Sequence, residues 1–220
     1  MSAIEFIKQV RNTLGIGLSE AKELIEEFEF PDKAIAAWHQ LQEQKHQEEE
    51  AREYVDPKSW KNHWYWKFRP VEEEDLGQLK MLTPNYCRQL WSKFVTEESD
   101  HLMRSDVEQH WKIRKVERVK GYNWETDSDE NQLRGLGDFL NPYLNWNPED
   151  VVYLFFGRYS GFQMTWELFL KYSHPLLFHS YGDVLVNVND AKVVIFEEHG
   201  YVRIGERRDF LGSFQNKLRT

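Results

Sequence analysis

Residues 7–42 read IKQVRNTLGIGLSEAKELIEEFEFPDKAIAAWHQLQ, and this stretch determines how the N-terminal part of the chain folds. Apolar residues recur in it at intervals of three and four, which is the spacing of one helix face. A Gly-x-Gly turn interrupts the pattern at 15–17, and Pro31 precedes its last repetition. The stretch therefore predicts three short helices that form a small module over residues 1–42.

Residues suited to helix ends separate the three predicted helices. Gly15 can adopt positive φ and end the first helix, and Gly17 relieves crowding in the turn. Ser19 is a natural N-cap, with Leu18 as a hydrophobic staple before it. Pro31 fits the first turn of the third helix. We expect the inward faces to be formed by Ile4, Ile7, Val10 and Leu14, then Ala21, Leu24, Ile25 and Phe28, then Ala34, Ile35, Trp38 and Leu41.

The module resembles the ubiquitin-associated-like (UBA-like) domain at the start of bacterial elongation factor Ts. The matching residues are Lys8, Val10, Arg11, Gly15, Gly17, Lys22, Asp32, Lys33, Ala34, Ile35 and Trp38. The run GIGLSEAK at 15–22 is also similar to the C-terminal domain of the ribosomal stalk protein. That domain needs strands on both sides, and only three residues precede the first helix here, so we favour the three-helix fold.

This resemblance implies a docking role for the module. In the factor Ts family the module docks on elongation factor Tu, and in other proteins the same fold binds ubiquitin or other partners. The candidate partner-binding residues are Lys8, Arg11, Gly17, Leu18 and Lys22. The alternative is a helical cap that packs on the rest of the chain.

Composition limits the classes of function that the chain can have. Among its 220 residues, 40% are hydrophobic and 15% aromatic, which suffices for a folded core, and the net charge is −9. So acidic a chain is a poor general binder of nucleic acid, because phosphate binding needs clustered Lys and Arg, and it suits a basic protein partner. A single cysteine, Cys87, fits a reducing compartment. Without a signal-peptide pattern or an apolar run of about 20 residues, we expect a cytoplasmic protein that makes no membrane contact.

The remainder of the chain predicts a larger domain after an acidic segment. Residues 43–56 contain six acids and two bases, and we interpret them as a linker or a solvated extension of the third helix. Pro57 marks the expected boundary. The main domain is expected over 57–210, with a C-terminal tail at 211–220.

Hydrophobic periodicity in 57–210 predicts an α+β domain, with a mostly antiparallel sheet packed with two main helices. The helices are expected after the N-caps Thr83 and Thr165. The strands are expected at 62–68, at the continuously apolar run Val151–Phe156, and at Asp183–Val188, Lys192–Glu197 and Tyr201–Gly205.

Two resemblances bear on the main domain. Trp124, Asp127, Ser128 and Asp129 form a Trp-x-x-Asp-Ser-Asp segment, and residues 165–169 form a Thr-Trp-x-x-Phe helix start. Both resemble a family of small uncharacterised bacterial domains. The order of aromatic strand, helix and terminal hairpins is also similar to that of immunity proteins, which neutralise bacterial toxins.

The sequence contains one candidate for catalytic chemistry. Glu125, Asp127, Asp129 and Glu130 could hold a divalent cation, but the segment lacks the glycine and distal glutamate of a calcium loop. We favour a capped turn or a partner surface that includes Trp124, and we predict no catalytic residue, metal or cofactor. The neighbouring basic stretch, which contains Lys112, Arg114, Lys115, Arg118 and Lys120, is interpreted as a solvated face. Cys87 lies on an apolar helix face and is expected to be a buried, inert thiol.

Three hypotheses of function remain. The first is a non-enzymatic bacterial protein-interaction protein, in its concrete form an immunity or toxin-neutralising protein. The second is a metal-dependent hydrolase that uses Asp127 and Asp129. The third is a translation-associated factor that binds elongation factor Tu.

Overall fold

The chain divides into two units, Met1–Arg52 and Glu53–Thr220. The structure is a computed structural model. It describes residues 3–28, 30–61, 66, 70–102, 111–119, 132–178, 181–197 and 200–208. No helix among these residues has the length and apolar character needed to cross a membrane.

The N-terminal unit contains three helices, α1 (Ala3–Leu14), α2 (Leu18–Phe28) and α3 (Pro31–Ala51). Gly15 has a φ of +67°, and its N–H donates to the carbonyl oxygen of Arg11 at 2.9 Å, so it ends α1 as predicted. Pro31 is the first residue of α3, also as predicted. The core of the unit is small, and the buried residues of its apolar cluster are Val10, Ala21, Ile25 and Ala34.

Parts of the predicted inward faces are wrong. Ile4 is 65% exposed and Leu41 is 45% exposed, while Phe6 packs on the core instead. Trp38 is only partly buried. For Leu41 the reason is helix length, because at about 1.5 Å per residue the 21 residues of α3 span about 31 Å and the 12 residues of α1 about 18 Å. The shorter helices cannot cover α3 along its whole length.

The predicted roles of the residues around the α1–α2 turn also need correction. Helix α2 begins at Leu18, so Ser19 lies inside the helix and its Oγ donates to Glu23 Oε1 at 3.3 Å. Leu18 is 61% exposed and is not a buried staple. A Cβ added at Gly17 would meet no atom within 4 Å, so crowding does not explain this glycine.

The second unit is built on a seven-stranded sheet, which confirms the predicted α+β class. Its strands have the order β1-β4-β3-β5-β6-β7-β2, and all neighbours are antiparallel. In chain order its elements are α4 (Pro57–Trp60), β1 (Lys80–Met81), α5 (Pro84–Phe94), β2 (Ile113–Val119), α6 (Gln132–Leu140), β3 (Val151–Gly157), β4 (Ser160–Thr165), α7 (Trp166–Leu177), β5 (Asp183–Asn187), β6 (Lys192–Phe196) and β7 (Val202–Arg207).

Helices cover both faces of this sheet. Along β3, Val152 and Leu154 pack in the cluster that contains α7, whereas Tyr153 and Phe155 pack in the cluster that contains α5. Side chains of a strand alternate between the two faces, so a strand covered on both sides is apolar throughout. This explains the continuous apolar run at 151–156, and β3 is an interior strand of the sheet, as predicted.

The two main helices begin at the predicted caps. Thr83 Oγ1 accepts from the N–H of Tyr86 at 3.4 Å, and Thr165 Oγ1 accepts from the N–H of Leu168 at 3.3 Å. Each hydroxyl satisfies one of the N–H groups that have no partner inside the helix.

A buried carboxylate ties the segment before β1 to α7. Asp75 Oδ2 accepts from the hydroxyl of Tyr172 at 2.6 Å and from Lys171 Nζ at 2.7 Å. The Tyr172 hydroxyl accepts in turn from the N–H of Glu72 at 3.1 Å. Burial alone raises the pKa of Asp75, but the hydrogen bonds from Lys171 and Tyr172 outweigh it and hold the pKa below its ordinary value. The network therefore favours the ionised carboxylate.

Some predictions lie outside the described residues. Of the strand expected at 62–68, only Trp66 is described; it is buried and does not belong to a strand. The tail at 211–220 is not described. Strands β1, β2 and β4 and helix α6 were not anticipated from the sequence.

Candidate functional site

The structure places all of the predicted partner-binding residues of the N-terminal unit at its surface. Lys8, Arg11, Gly17, Leu18 and Lys22 are exposed. Gly17 and Leu18 lie where the turn after α1 leads into α2, and Leu18 presents most of an apolar side chain to solvent. This turn therefore offers an apolar contact point on the unit.

The surroundings of Leu18 along α2 are acidic. Glu20, Glu23, Glu26 and Glu27 are all exposed on this helix. Lys22 forms an ion pair with Glu26 at 3.8 Å, four residues further along the same helix. Residues 1–52 contain six basic and eleven acidic residues, a net charge of −5. A partner that accepts Leu18 would therefore need an apolar pocket with a basic rim.

The second predicted binding segment lies outside the described residues. Trp124, Glu125, Asp127 and Asp129 belong to the stretch 120–131, which follows β2 and precedes α6. Within the part of the chain that the structure describes, no group of three or more His, Cys, Asp or Glu side chains could hold a metal ion.

Most of the basic stretch lies in β2, an edge strand of the sheet, and its cations Lys112, Lys115 and Arg118 pair with acids. Lys112 forms an ion pair with Glu97. Arg118 lies 3.8 Å from Glu197, and its guanidinium carbon is 3.8 Å from the centre of the Tyr201 ring. These side chains are partly exposed to solvent, as we predicted. They also form ion pairs with specific carboxylates of neighbouring segments. Lys120 lies outside the described residues.

A β-bulge interrupts the pairing of β2 with β7. The register shifts so that Lys115 and Val116 together face Gly205. Lys115 has a φ of +50°, a backbone conformation that is unfavourable for a residue with a Cβ. A Cβ at Gly205 would lie 3.2 Å from Val116 Cγ2 and only 2.5 Å from Ile113 Cγ2, so the close approach of β2 requires a glycine there.

A polar cleft lies beside this bulge. Its volume is about 310 Å³, and we call it the edge cleft; it is lined by Lys115, Arg118, Tyr143, Lys192, Gly205 and Glu206 among others. Lys115 Nζ lies 3.1 Å from Glu206 Oε2, and Lys192 Nζ lies 3.4 Å from Oε1 of the same carboxylate. The Lys115 ammonium holds the pKa of Glu206 below its ordinary value against the opposing effect of burial, and Lys192 adds to this.

Only part of the edge cleft can be predicted from the sequence. Lys115 and Arg118 belong to the basic stretch, whereas Tyr143, Lys192 and Glu206 lie elsewhere in the chain. These residues come together only through the order of the strands and the register of β6 with β7. No local spacing in the sequence carries that information.

Cys87 has the properties predicted for it. The side chain is fully buried on α5, and burial raises the pKa of its thiol to about 12. Because the thiolate is the reactive species, this cysteine is not a nucleophile near neutral pH.

Comparison with known proteins gives one match. Residues 54–205 match the model of DUF2947, described as a protein of unknown function. No curated protein and no solved structure matches the chain. The matched range lies within the unit Glu53–Thr220 and leaves the three-helix unit outside it.

Proposed function

We propose that this chain, which belongs to the DUF2947 family of proteins of unknown function, is a non-enzymatic protein-interaction protein of the bacterial cytoplasm. Its N-terminal unit docks a protein partner, and Leu18 is the apolar anchor of the contact. The observation that carries this proposal is the 61% exposure of Leu18 at the start of α2.

The N-terminal unit is poor in buried apolar surface and rich in exposed apolar side chains. Its apolar core cluster has four buried residues. Nine large apolar residues are exposed in the described part of the chain, and the N-terminal unit contributes four of them: Ile4, Leu18, Phe30 and Leu41. When a partner covers large apolar side chains that were exposed to water, the free energy of the system falls, which favours binding. This supports a docking unit.

The charge of the unit selects the class of partner. With a net charge of −5 over residues 1–52 and an acidic helix after Leu18, a basic protein would associate faster and with better complementarity than an acidic one. A basic toxin neutralised by this chain fits that description, and an immunity role is the concrete form of the proposal. Elongation factor Tu, which would contact Lys8, Arg11 and Lys22, is the alternative partner.

Copurification with matched variants tests the docking proposal. The full-length tagged protein, purified from its native cell, should retain a stoichiometric partner whose binding weakens as salt is raised. Leu18→Ser replaces an exposed apolar side chain with a polar one and should change the free energy of unfolding of the unit by less than about 0.5 kcal/mol. The control is Tyr159→Ser in the second unit, where Tyr159 is 50% exposed.

The expected result is loss of the partner in Leu18→Ser and its retention in Tyr159→Ser. With purified components, the Kd should rise about thirtyfold for Leu18→Ser, which corresponds to about 2 kcal/mol for a buried anchor. Equal affinity of the parent and Leu18→Ser for the partner would reject the anchor. A basic toxin or elongation factor Tu as the retained protein separates the two partner hypotheses.

The hydrolase alternative has a separate test, because Asp127 and Asp129 lie outside the described residues. Calorimetry with magnesium, manganese or calcium should show no stoichiometric binding at micromolar concentration. Binding to the parent that is abolished by Asp127→Asn and Asp129→Asn together would replace the docking proposal with a metal-dependent enzyme.

A further inference from the structure

We propose that the edge cleft binds a small organic carboxylate, which bridges Lys115 and Lys192 and places its organic body against Tyr143. This site lies in the second unit and is independent of the docking role proposed for the first.

Two lysines supply the cleft with hydrogen-bond donors. A lysine ammonium has three N–H donors. Lys115 and Lys192 each approach a different oxygen of the Glu206 carboxylate, at 3.1 Å and 3.4 Å. One donor of each ammonium is therefore directed at Glu206, and the remaining donors can serve a second anion. The two ammonium groups already flank one carboxylate, so they are spaced to flank another.

The backbone at Lys115 is strained. The bulge holds this residue at a φ of +50°, which glycine adopts without strain and lysine does not. Strained residues of this kind occur often at binding sites, because the fold retains them where the side chain has a task. The bulge, the close approach at Gly205 and the cleft coincide. The strained backbone position therefore belongs to a residue that lines the cleft.

The charge and the wall of the cleft select the ligand. Arg118 already pairs with Glu197, whereas Lys115 and Lys192 share the one carboxylate of Glu206, so the group of three that the ligand would join carries a net charge of +1. One carboxylate neutralises that charge, whereas a phosphate dianion would exceed it. Tyr143 is partly exposed and offers a flat apolar surface. A volume of about 310 Å³ is at the lower end for ligand pockets, which suits a small molecule.

The test uses benzoate, its neutral analogue benzamide, and inorganic phosphate as probes of the full-length protein. Amide chemical shifts of the cleft residues are followed by NMR during each titration. Lys115→Gly removes one ammonium and at the same time relieves the unfavourable φ, so the variant should fold. Lys192→Gln removes the other ammonium. Lys112→Gln is the matched control, because Lys112 pairs with Glu97 and does not line the cleft.

Benzoate should shift the cleft amides with a saturable Kd, and benzamide should not. Each cleft variant should raise that Kd about tenfold, the effect of losing one charge-assisted hydrogen bond, while Lys112→Gln leaves it unchanged. Equal benzoate affinity in the parent and in Lys192→Gln would overturn the proposal even if Lys115→Gly failed to fold. Equal shifts with benzamide, or tighter binding of phosphate than of benzoate, would overturn the assignment of a carboxylate ligand.

Discussion

Replacing Asp75 should destabilise the second unit by about 1.5–4 kcal/mol. Asp75→Ala removes the acceptor of the Tyr172 hydroxyl, which lies 2.6 Å away in a buried site, and a hydrogen bond to a charged group contributes about 1.5–3 kcal/mol. It also removes the ion pair with Lys171 at 2.7 Å. Because the Lys171 side chain is partly in solvent, that pair adds at most about 1 kcal/mol.

Urea denaturation at pH 7 measures this loss, and a double-mutant cycle with Tyr172→Phe isolates the hydroxyl–carboxylate bond. The coupling between the two substitutions should be about 1.5–3 kcal/mol, because both remove the same bond. A loss below about 0.5 kcal/mol in Asp75→Ala, the size typical of a surface substitution, would refute the argument from the buried network.

The pH dependence of stability gives a second check on the same carboxylate. The pKa of Asp75 is lower in the folded protein than in the unfolded chain, so the unfolded state binds more protons as the pH falls. The stabilisation that ionised Asp75 gives is fully present above the pKa of this carboxyl in the unfolded chain. It is lost as the pH falls through the lower pKa of Asp75 in the folded protein. Below about pH 4, the free energy of unfolding of the parent should therefore fall more steeply than that of Asp75→Ala, and parallel profiles would contradict this.

Three further predictions follow from local geometry. Gly205→Ala should lower the free energy of unfolding, measured by urea denaturation, by about 1–3 kcal/mol, the typical effect of overpacking. The reason is that the added Cβ would lie 2.5 Å from Ile113 Cγ2. An unchanged urea midpoint would show that the bulge can relax. Cys87, fully buried with a thiol pKa raised to about 12, should react with a thiol reagent at pH 8 only after urea unfolds the protein, and rapid labelling of the native state would contradict its burial. Thr165→Ala should lower the free energy of unfolding by about 1 kcal/mol, because the N–H of Leu168 loses its acceptor. Thr165→Ser keeps a hydroxyl and should retain most of the stability of the parent in the same assay.

Features that depend on a few neighbouring residues could be predicted from the sequence. The caps Thr83 and Thr165 and the helix end at Gly15 follow from bonds within one turn of the chain. The apolar run at 151–156 followed from the burial of both faces of β3. The α+β class could be inferred from these local patterns alone.

Features that depend on distant parts of the chain could not be predicted. Leu41 has the helical phase of an inward residue, but its exposure depends on the lengths of α1 and α2. The edge cleft depends on pairing β2 with β7, which lie far apart in the chain, and on a bulge at Lys115. A two-for-one register shift leaves no periodic signal in a strand of seven residues.

Hydrogen–deuterium exchange with and without the copurified partner tests the docking proposal most directly. Amide protection should appear at the α1–α2 turn and the first turn of α2, around Gly17 and Leu18, while the amides of the seven-stranded sheet keep their exchange rates. Protection confined to the second unit, with none around Leu18, would contradict the account.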